Sequence, residues 1–112
     1  MRAPENPIVT AAMVQSSRPD FEVVGVFNPG VTRHGSDVLL MLRVAEAPLR
    51  STGEVAAAMY NTLSGSLEVR RWHADTKGLD VTDPRMIVVD GRTWLTSISH
   101  LRVARSSDGI QF

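Results

Sequence analysis

The sequence predicts an all-β protein built from short antiparallel strands. Segments rich in β-branched and aromatic residues recur along the 112-residue chain, and turn residues separate them roughly every ten positions. Only one stretch, residues 53–66, has helical composition. A chain of this length forms one modest domain and buries roughly two-thirds of its unfolded surface.

The first half of the chain predicts two strands after an extended arm. Prolines punctuate residues 1–20, so we expect an extended N-terminal arm there. "FEVVGVF" (Phe21–Phe27) predicts a strand, which Asn28-Pro29-Gly30 would close with a turn. The nearly continuous apolar run 37–45 predicts a strand covered on both faces. The link "RHGSD" between these strands suits a hairpin.

The second half predicts further strands joined by tight turns. Gly53 and Gly65 closely bracket the stretch "GEVAAAMYNTLSGS", for which we expect a loop or a short helix. A tight turn at Asp90-Gly91 predicts a hairpin, and a second Asp-Gly turn lies near the C-terminus. The remaining strand segments are "LEVRRWHA", "RMIVVDG", "RTWLTSISH" and the start of "LRVARSSDGIQF".

Charge and composition exclude several functional classes. Twelve cationic and twelve anionic residues give no electrostatic case for a nucleic acid or an anionic membrane as partner. The chain has no cysteine, and its three histidines share no ligand spacing, so we expect no metal site. The apolar runs are far too short for a membrane span, and residues 1–20 lack the apolar core of a signal peptide. These features predict a soluble cytoplasmic protein.

An acid and a base stand where one apolar strand begins, at Asp83-Pro84-Arg85. Residues two apart in a strand project to the same face, so Asp83 and Arg85 can reach one ligand. A general acid needs a pKa raised by burial or by a neighbouring acid, whereas pairing with Arg85 would lower the pKa of Asp83. The alternative is a plain turn in which Asp83 bonds to its own backbone.

Asn28 and Arg43 are the other candidate ligand-binding residues. An asparagine at a strand end offers a donor and an acceptor to a sugar hydroxyl, although Asn-Pro-Gly also suits a plain β-turn. Arg43 interrupts an apolar run, where a cation is costly unless it is paired or emerges at the strand end. It could bind a sugar or pair with Glu46 or Glu22. An inverting hydrolase needs a second carboxylate, for which the candidates, none compelling, are Glu46, Asp80 and Asp90.

Three linked blocks resemble the N-terminal part of glycoside hydrolase family 130. They are an Asn-Pro turn after a strand and an Arg-Val-Ala-Glu strand end in "VVGVFNPGVTRHGSDVLLMLRVAEAP", and an Asp-Pro-Arg strand entrance in "GLDVTDPRMIVVDGRTWLTSISHLRVARSSDGIQF". This family comprises β-mannoside phosphorylases and β-mannosidases built on a five-bladed β-propeller. The resemblance implies about two blades of such a propeller. The chain would then be one partial propeller domain over 1–112, with its blade strands in 21–112.

The resemblance also implies a chemistry. Family members invert the anomeric carbon of a β-linked mannose, and one aspartate donates its proton through the 3-hydroxyl of the sugar to the glycosidic oxygen. Asp83 resembles that proton donor, and Asn28 and Arg43 resemble the residues that hold the mannose. Arg85 lies beside the acid, and we expect it to contact the sugar as well. The expected activity is a glycoside phosphorylase that acts on β-mannoside oligosaccharides and releases mannose 1-phosphate. Inorganic phosphate would be the co-substrate, with no other cofactor.

Two alternatives and one consequence follow from the resemblance. The alternatives are an inverting β-mannosidase and a non-catalytic carbohydrate-binding or structural β-module. Family members are much longer than this chain, so we do not expect one copy to hold a complete site. Exposed sheet edges invite pairing with another chain, so we expect a homo-oligomer.

Overall fold

The computed structural model describes Pro4 and residues 8–112, except for the side chain of Asn28. Within these residues the chain forms one short 3₁₀ turn, Ala11–Met13, followed by antiparallel β-strands. The all-β prediction is confirmed. The strands are β1 (Phe21–His34), β2 (Asp37–Pro48), β3 (Glu54–Asn61), β4 (Ser66–His73), β5 (Met86–Val89), β6 (Arg92–Leu95) and β7 (Ile98–Ser106). No helix in the described part of the chain is long and apolar enough to cross a membrane.

The strands form three sheets and the chain divides into two compact units. The three-stranded sheet has the order β1-β2-β7, and two hairpins, β3–β4 and β5–β6, form the other sheets. The first unit comprises Met1–Ser17, Val23–Glu46 and Ser99–Phe112, and the second comprises Arg18–Glu22 and Ala47–Ile98. The predicted N-terminal arm falls partly outside the described residues.

The prediction of a turn at Asn28-Pro29-Gly30 is wrong. β1 continues through these residues to His34, and the chain turns instead at Gly35-Ser36, where Gly35 has a φ of +63°. The sheet order places β1 at an edge, where a strand tolerates a proline that lacks an N–H donor. The hairpin predicted for "RHGSD" is confirmed.

Burial along β2 alternates in its middle part and becomes continuous near its end. Leu42 and Val44 are buried, whereas their neighbours Met41 and Arg43 are exposed. The strand is therefore covered on both faces only from Val44 onwards, and the prediction that the whole run is covered on both faces is wrong. This alternation places Arg43 on the open face of the sheet.

The stretch with helical composition forms a β-hairpin. β3 and β4 pair from Glu54↔His73 to Asn61↔Ser66, so the predicted loop or short helix is wrong. Gly65, with a φ of +67°, and the Asn61 side chain, which accepts a hydrogen bond from the Leu63 amide at 2.9 Å, form the turn. Helix propensity is a weak preference, and cross-strand pairing overrides it here.

Apolar side chains of the β3–β4 and β5–β6 hairpins form the core of the second unit. Its buried members are Ala57, Ile87, Val89 and Trp94, and Trp72 packs against them with its ring centroid 5.5 Å from that of Trp94. The predicted hairpin turn is confirmed, because Asp90 and Gly91 have φ angles of +51° and +72° between β5 and β6. Positive φ at both central residues is the requirement of a type I′ turn.

Candidate active site

The Asp83-Pro84-Arg85 segment forms a turn that leads into β5. Asp83 O accepts a hydrogen bond from the Met86 amide at 3.2 Å. Across the hairpin, Thr96 donates its Oγ1 proton to Pro84 O at 2.7 Å and its amide proton to Arg85 O at 3.1 Å. The backbone of the segment is thereby fixed to the end of the β5–β6 hairpin.

The side chains of Asp83 and Arg85 form a bidentate ion pair. Arg85 Nη2 lies 2.8 Å from Asp83 Oδ2, and Arg85 Nε lies 3.1 Å from Oδ1. The Arg85 amide also donates to Oδ1, at 2.9 Å. Both features foreseen for this segment, the acid–base pair and the bond to its own backbone, therefore occur together.

This pairing lowers the proton affinity of Asp83. The hydrogen bond from the Arg85 side chain, with the bond from the Arg85 amide, lowers the pKa of Asp83 from its ordinary 3.8 to about 2. Asp83 is therefore a carboxylate at neutral pH, and the contact with Arg85 opposes its protonation. A role as proton donor requires that this contact be broken, because a general acid must carry its proton when the reaction begins.

Arg43 is an exposed cation held over an aromatic ring. Its guanidinium carbon lies 5.2 Å from the centroid of the Phe27 ring. A Cβ atom added at Gly25 would overlap Phe27 Cζ, so this ring covers the glycine two residues earlier in β1. The glycine thus leaves room for the ring that supports Arg43.

The alternative in which Arg43 pairs with Glu46 or Glu22 does not occur. Among the described residues no carboxylate lies within ion-pair distance of Arg43, and Glu46 contacts other groups. Arg43 is therefore available to a ligand. The side chain of Asn28, on the neighbouring strand, lies outside the described residues, so its proposed contact with a sugar stays a prediction.

Glu46 is a fully buried carboxylate of β2 bonded to two other segments of the first unit. It accepts hydrogen bonds from the Ser17 amide at 2.5 Å, from Ser17 Oγ at 2.6 Å and from His100 Nε2 at 2.8 Å. Arg102 Nη2 lies 3.9 Å away, and Arg102 also donates to Gln15 O. Burial raises the pKa of Glu46, but the bonds from Ser17 and His100 outweigh it, so the pKa lies below its ordinary value.

Sequence reasoning identified Glu46 but missed its partners. The signal that could have found the cluster is an acid in a run of buried residues, which requires hydrogen-bond donors. Those donors lie 29 and 54 positions away in the chain, at Ser17 and His100. No sequence spacing links them.

The structure brings some of the predicted site residues together. Asp83 and Arg85 are in contact and belong to the second unit, whereas Asn28 and Arg43 belong to the first. Of the proposed second carboxylates, Asp80 binds the amide and hydroxyl of Thr82, Asp90 forms the hairpin turn, and Glu46 is buried. The described residues contain no group of three or more histidines and acids that could hold a metal ion.

Comparisons with known proteins support the resemblance found in the residues. No protein-family model matches the chain. The chain is 41% identical over 116 residues to the β-1,2-mannobiose phosphorylase of Listeria innocua serovar 6a, which covers 99% of the chain and 33% of the relative. A solved structure of the L. innocua β-1,2-mannobiose phosphorylase in complex with β-1,2-mannobiose matches with a TM-score of 0.82, over 99% of this chain and 33% of that one.

These matches support the predicted fold and the predicted family. The chain spans about a third of the length of the curated relative. The structural neighbour is a propeller-fold enzyme, so the prediction of partial propeller blades is confirmed. The resemblance to glycoside hydrolase family 130 is likewise confirmed, and the chain corresponds to about one third of the length of an enzyme of that family.

Proposed function

We propose that this chain is part of a glycoside phosphorylase that acts on β-linked mannosides. The observation that supports the proposal is the 41% identity to a β-1,2-mannobiose phosphorylase across 99% of the chain. This stretch holds Asn28, Arg43, Asp83 and Arg85. Because the chain spans a third of that relative, the activity, substrate and product are proposed for a protein in which this stretch joins the rest of a site.

The proposed reaction transfers a mannosyl group to phosphate with inversion. A phosphate oxygen attacks the anomeric carbon as the bond from that carbon to the glycosidic oxygen breaks, so a β-mannoside gives α-mannose 1-phosphate. Asp83 supplies a proton, through the 3-hydroxyl of the mannose, to the departing oxygen. Asp83 then regains a proton from solvent, and the proton of the phosphate is released there.

The sugar-binding role proposed for Arg43 and Arg85 rests on their exposed guanidinium groups. Arginine presents five donors in a planar fork, which suits neighbouring hydroxyl groups of a sugar ring. Contact with the Phe27 ring restricts the Arg43 side chain, which lowers the entropy lost when a ligand binds. The amide group of Asn28, on the neighbouring strand, would add a donor and an acceptor.

A second candidate is a carbohydrate-binding β-module without turnover. One observation favours it: Arg85 lowers the pKa of Asp83, which therefore lacks the raised pKa of a general acid. Such a module would bind mannosides through the same arginines and would show no dependence on phosphate. An inverting β-mannosidase is the third alternative, in which water replaces phosphate.

Incubation of the chain, or of an assembly that contains it, with β-1,2-mannobiose and inorganic phosphate distinguishes these functions. We expect phosphate-dependent formation of mannose 1-phosphate, followed by phosphorus NMR. Free mannose produced equally well without phosphate would indicate the hydrolase, and binding without either product would indicate the module. Any assembly that shows activity can then be used to test the role of Asp83 as proton donor.

The first prediction is that Asp83→Asn abolishes turnover, because an amide cannot donate the required proton, while the fold is retained. Circular dichroism and unfolding in urea check the fold. Asp75→Asn is the matched control, because Asp75 is an exposed acid of the same unit outside the site, and it should leave turnover unchanged. Retained turnover in Asp83→Asn would remove Asp83 from its role.

A further inference from the structure

The two carboxylate oxygens of Asp83 have different partners. Oδ1 accepts from the backbone amide of Arg85 at 2.9 Å and from its Nε at 3.1 Å. Oδ2 accepts only from the Arg85 guanidinium in the described part of the chain, through Nη2 at 2.8 Å. If the guanidinium moves away, Oδ1 keeps its backbone donor and Oδ2 is left open.

The Arg85 side chain is able to move without a change of fold. It is 81% exposed, whereas the Asp83 side chain is 31% exposed. The Arg85 backbone is fixed by the bond from the Thr96 amide and by its own bond to Oδ1. Exposed side chains change rotamer within picoseconds to nanoseconds, and an exposed ion pair contributes little to stability.

We propose that Arg85 is a removable clamp that occupies Oδ2 of Asp83 in the empty site and opens this oxygen to protonation when a sugar displaces the guanidinium. The backbone amide at Oδ1 holds the carboxyl group in place while its affinity for a proton changes. The proton is taken from solvent and resides on Oδ2. This inference deepens the proposed function and, for the displacing sugar, rests on it.

The displacing group is a pair of hydroxyls on the β-mannoside. One hydroxyl occupies the position left at Oδ2, and another accepts a hydrogen bond from the displaced guanidinium, so the sugar offsets part of the lost pairing. The ring of the sugar excludes water from the carboxyl group, and this desolvation raises the pKa of an acid further. Binding of the sugar is thereby coupled to uptake of one proton.

The charged groups around Asp83 leave Arg85 as the controlling cation. Asp80, three residues earlier, is bonded to Thr82 rather than to Asp83. Thr96, across the hairpin, donates hydrogen bonds to the backbone of Pro84 and Arg85 and carries no charge. Within the described residues, Arg85 is the charged side chain in contact with the Asp83 carboxyl group.

Titration of the side-chain carboxyl carbons by carbon-13 NMR tests the clamp in the chain itself. In Arg85→Ala we expect the pKa of Asp83 to rise from about 2 toward its ordinary 3.8, remaining below it because the backbone bond persists. Arg85→Lys keeps the charge but loses the fork and should give an intermediate value. An Asp83 pKa unchanged in Arg85→Ala would overturn the proposal.

Asp108 is the internal control for this titration. Its pKa is also lowered to about 2, but by bonds from the Gln111 and Ile110 amides and the Ser106 hydroxyl rather than by an arginine. It should therefore titrate identically in all three proteins. A shift of Asp108 equal to that of Asp83 would mean that the substitution disturbs the chain generally, and it would overturn the local clamp.

Addition of β-1,2-mannobiose tests the release. When the NMR signals of the sugar report binding to the wild-type chain, the pKa of Asp83 should rise and that of Asp108 should not. Bound sugar with Asp83 still near 2 would overturn the release. This result is distinct from a failure of the proposed function, which would appear as no phosphate-dependent formation of mannose 1-phosphate.

Discussion

Glu46 shows how one buried polar residue can stabilise the unit that contains it. Transfer of an ionised carboxyl group out of water is costly unless donors surround it. Two donors of Ser17 and one of His100 satisfy it at 2.5–2.8 Å. Ser17 lies in the N-terminal segment and His100 in β7, so this carboxylate joins both to β2.

Glu46→Ala should destabilise the first unit by about 2–4 kcal/mol, because it leaves buried donors without an acceptor. Urea unfolding at neutral pH measures the change. The loss should be smaller in acid. Because folding lowers the pKa of Glu46, its ionised form stabilises the fold at pH values above the ordinary pKa of 4.5, and this stabilisation is lost as the pH falls through the folded-state pKa.

Asp37→Asn is the matched control for Glu46. Asp37 pairs with Arg105 at 3.2 Å between the same two strands, but the arginine is 63% exposed. An exposed pair of this kind contributes about 0.2–1 kcal/mol. Equal losses in Glu46→Ala and Asp37→Asn would show that burial of Glu46 carries no additional stabilisation.

The elements differ in how far the sequence alone predicts them. The Asp90-Gly91 hairpin is predictable because the turn residues themselves impose the positive φ angles. β3 is not, because its alanines favour a helix and its strand conformation depends on pairing with β4. The strand through Pro29 is missed for a similar reason, since its place at a sheet edge is a property of the assembled sheet.

The same distinction holds for the candidate site. The contact of Asp83 with Arg85 follows from their separation by two residues, and the structure contains it. The burial of Glu46 among Ser17 and His100 depends on three distant segments. Contacts between residues that are close in the sequence can therefore be predicted from it, whereas polar clusters of distant residues can be identified only once the fold is known.

Gly91→Ala should destabilise the β5–β6 hairpin by about 1–2 kcal/mol, because alanine is strained at a φ of +72°. Urea unfolding of the variant measures this loss. Gly30→Ala is the control: Gly30 lies within β1 without a positive φ, and an added Cβ would meet only Met41 Cβ at 3.9 Å. That substitution should be neutral or slightly stabilising, and an equal loss in both variants would exclude backbone strain as the cause.

The molecule as a whole exposes an apolar sheet face and carries no net charge. Val31 and Val103 are 65% and 63% exposed, and with Met41 they line a groove of about 280 Å³ on the first unit. The sheet order places β1 and β7 at its edges. Twelve charges of each sign leave no net repulsion between copies. Exposed apolar patches and strand edges together favour association.

We therefore predict that the chain self-associates, with a native mass above 12.2 kDa that rises with concentration. Light scattering on a sizing column measures it. Val103→Lys should lower the mass, because a lysine on an edge strand opposes pairing and charges the apolar face. Leu63→Lys adds the same charge at a 98% exposed turn of the second unit and should leave the mass unchanged. A monomer at every concentration, or an equal effect of both lysines, would contradict association through this face.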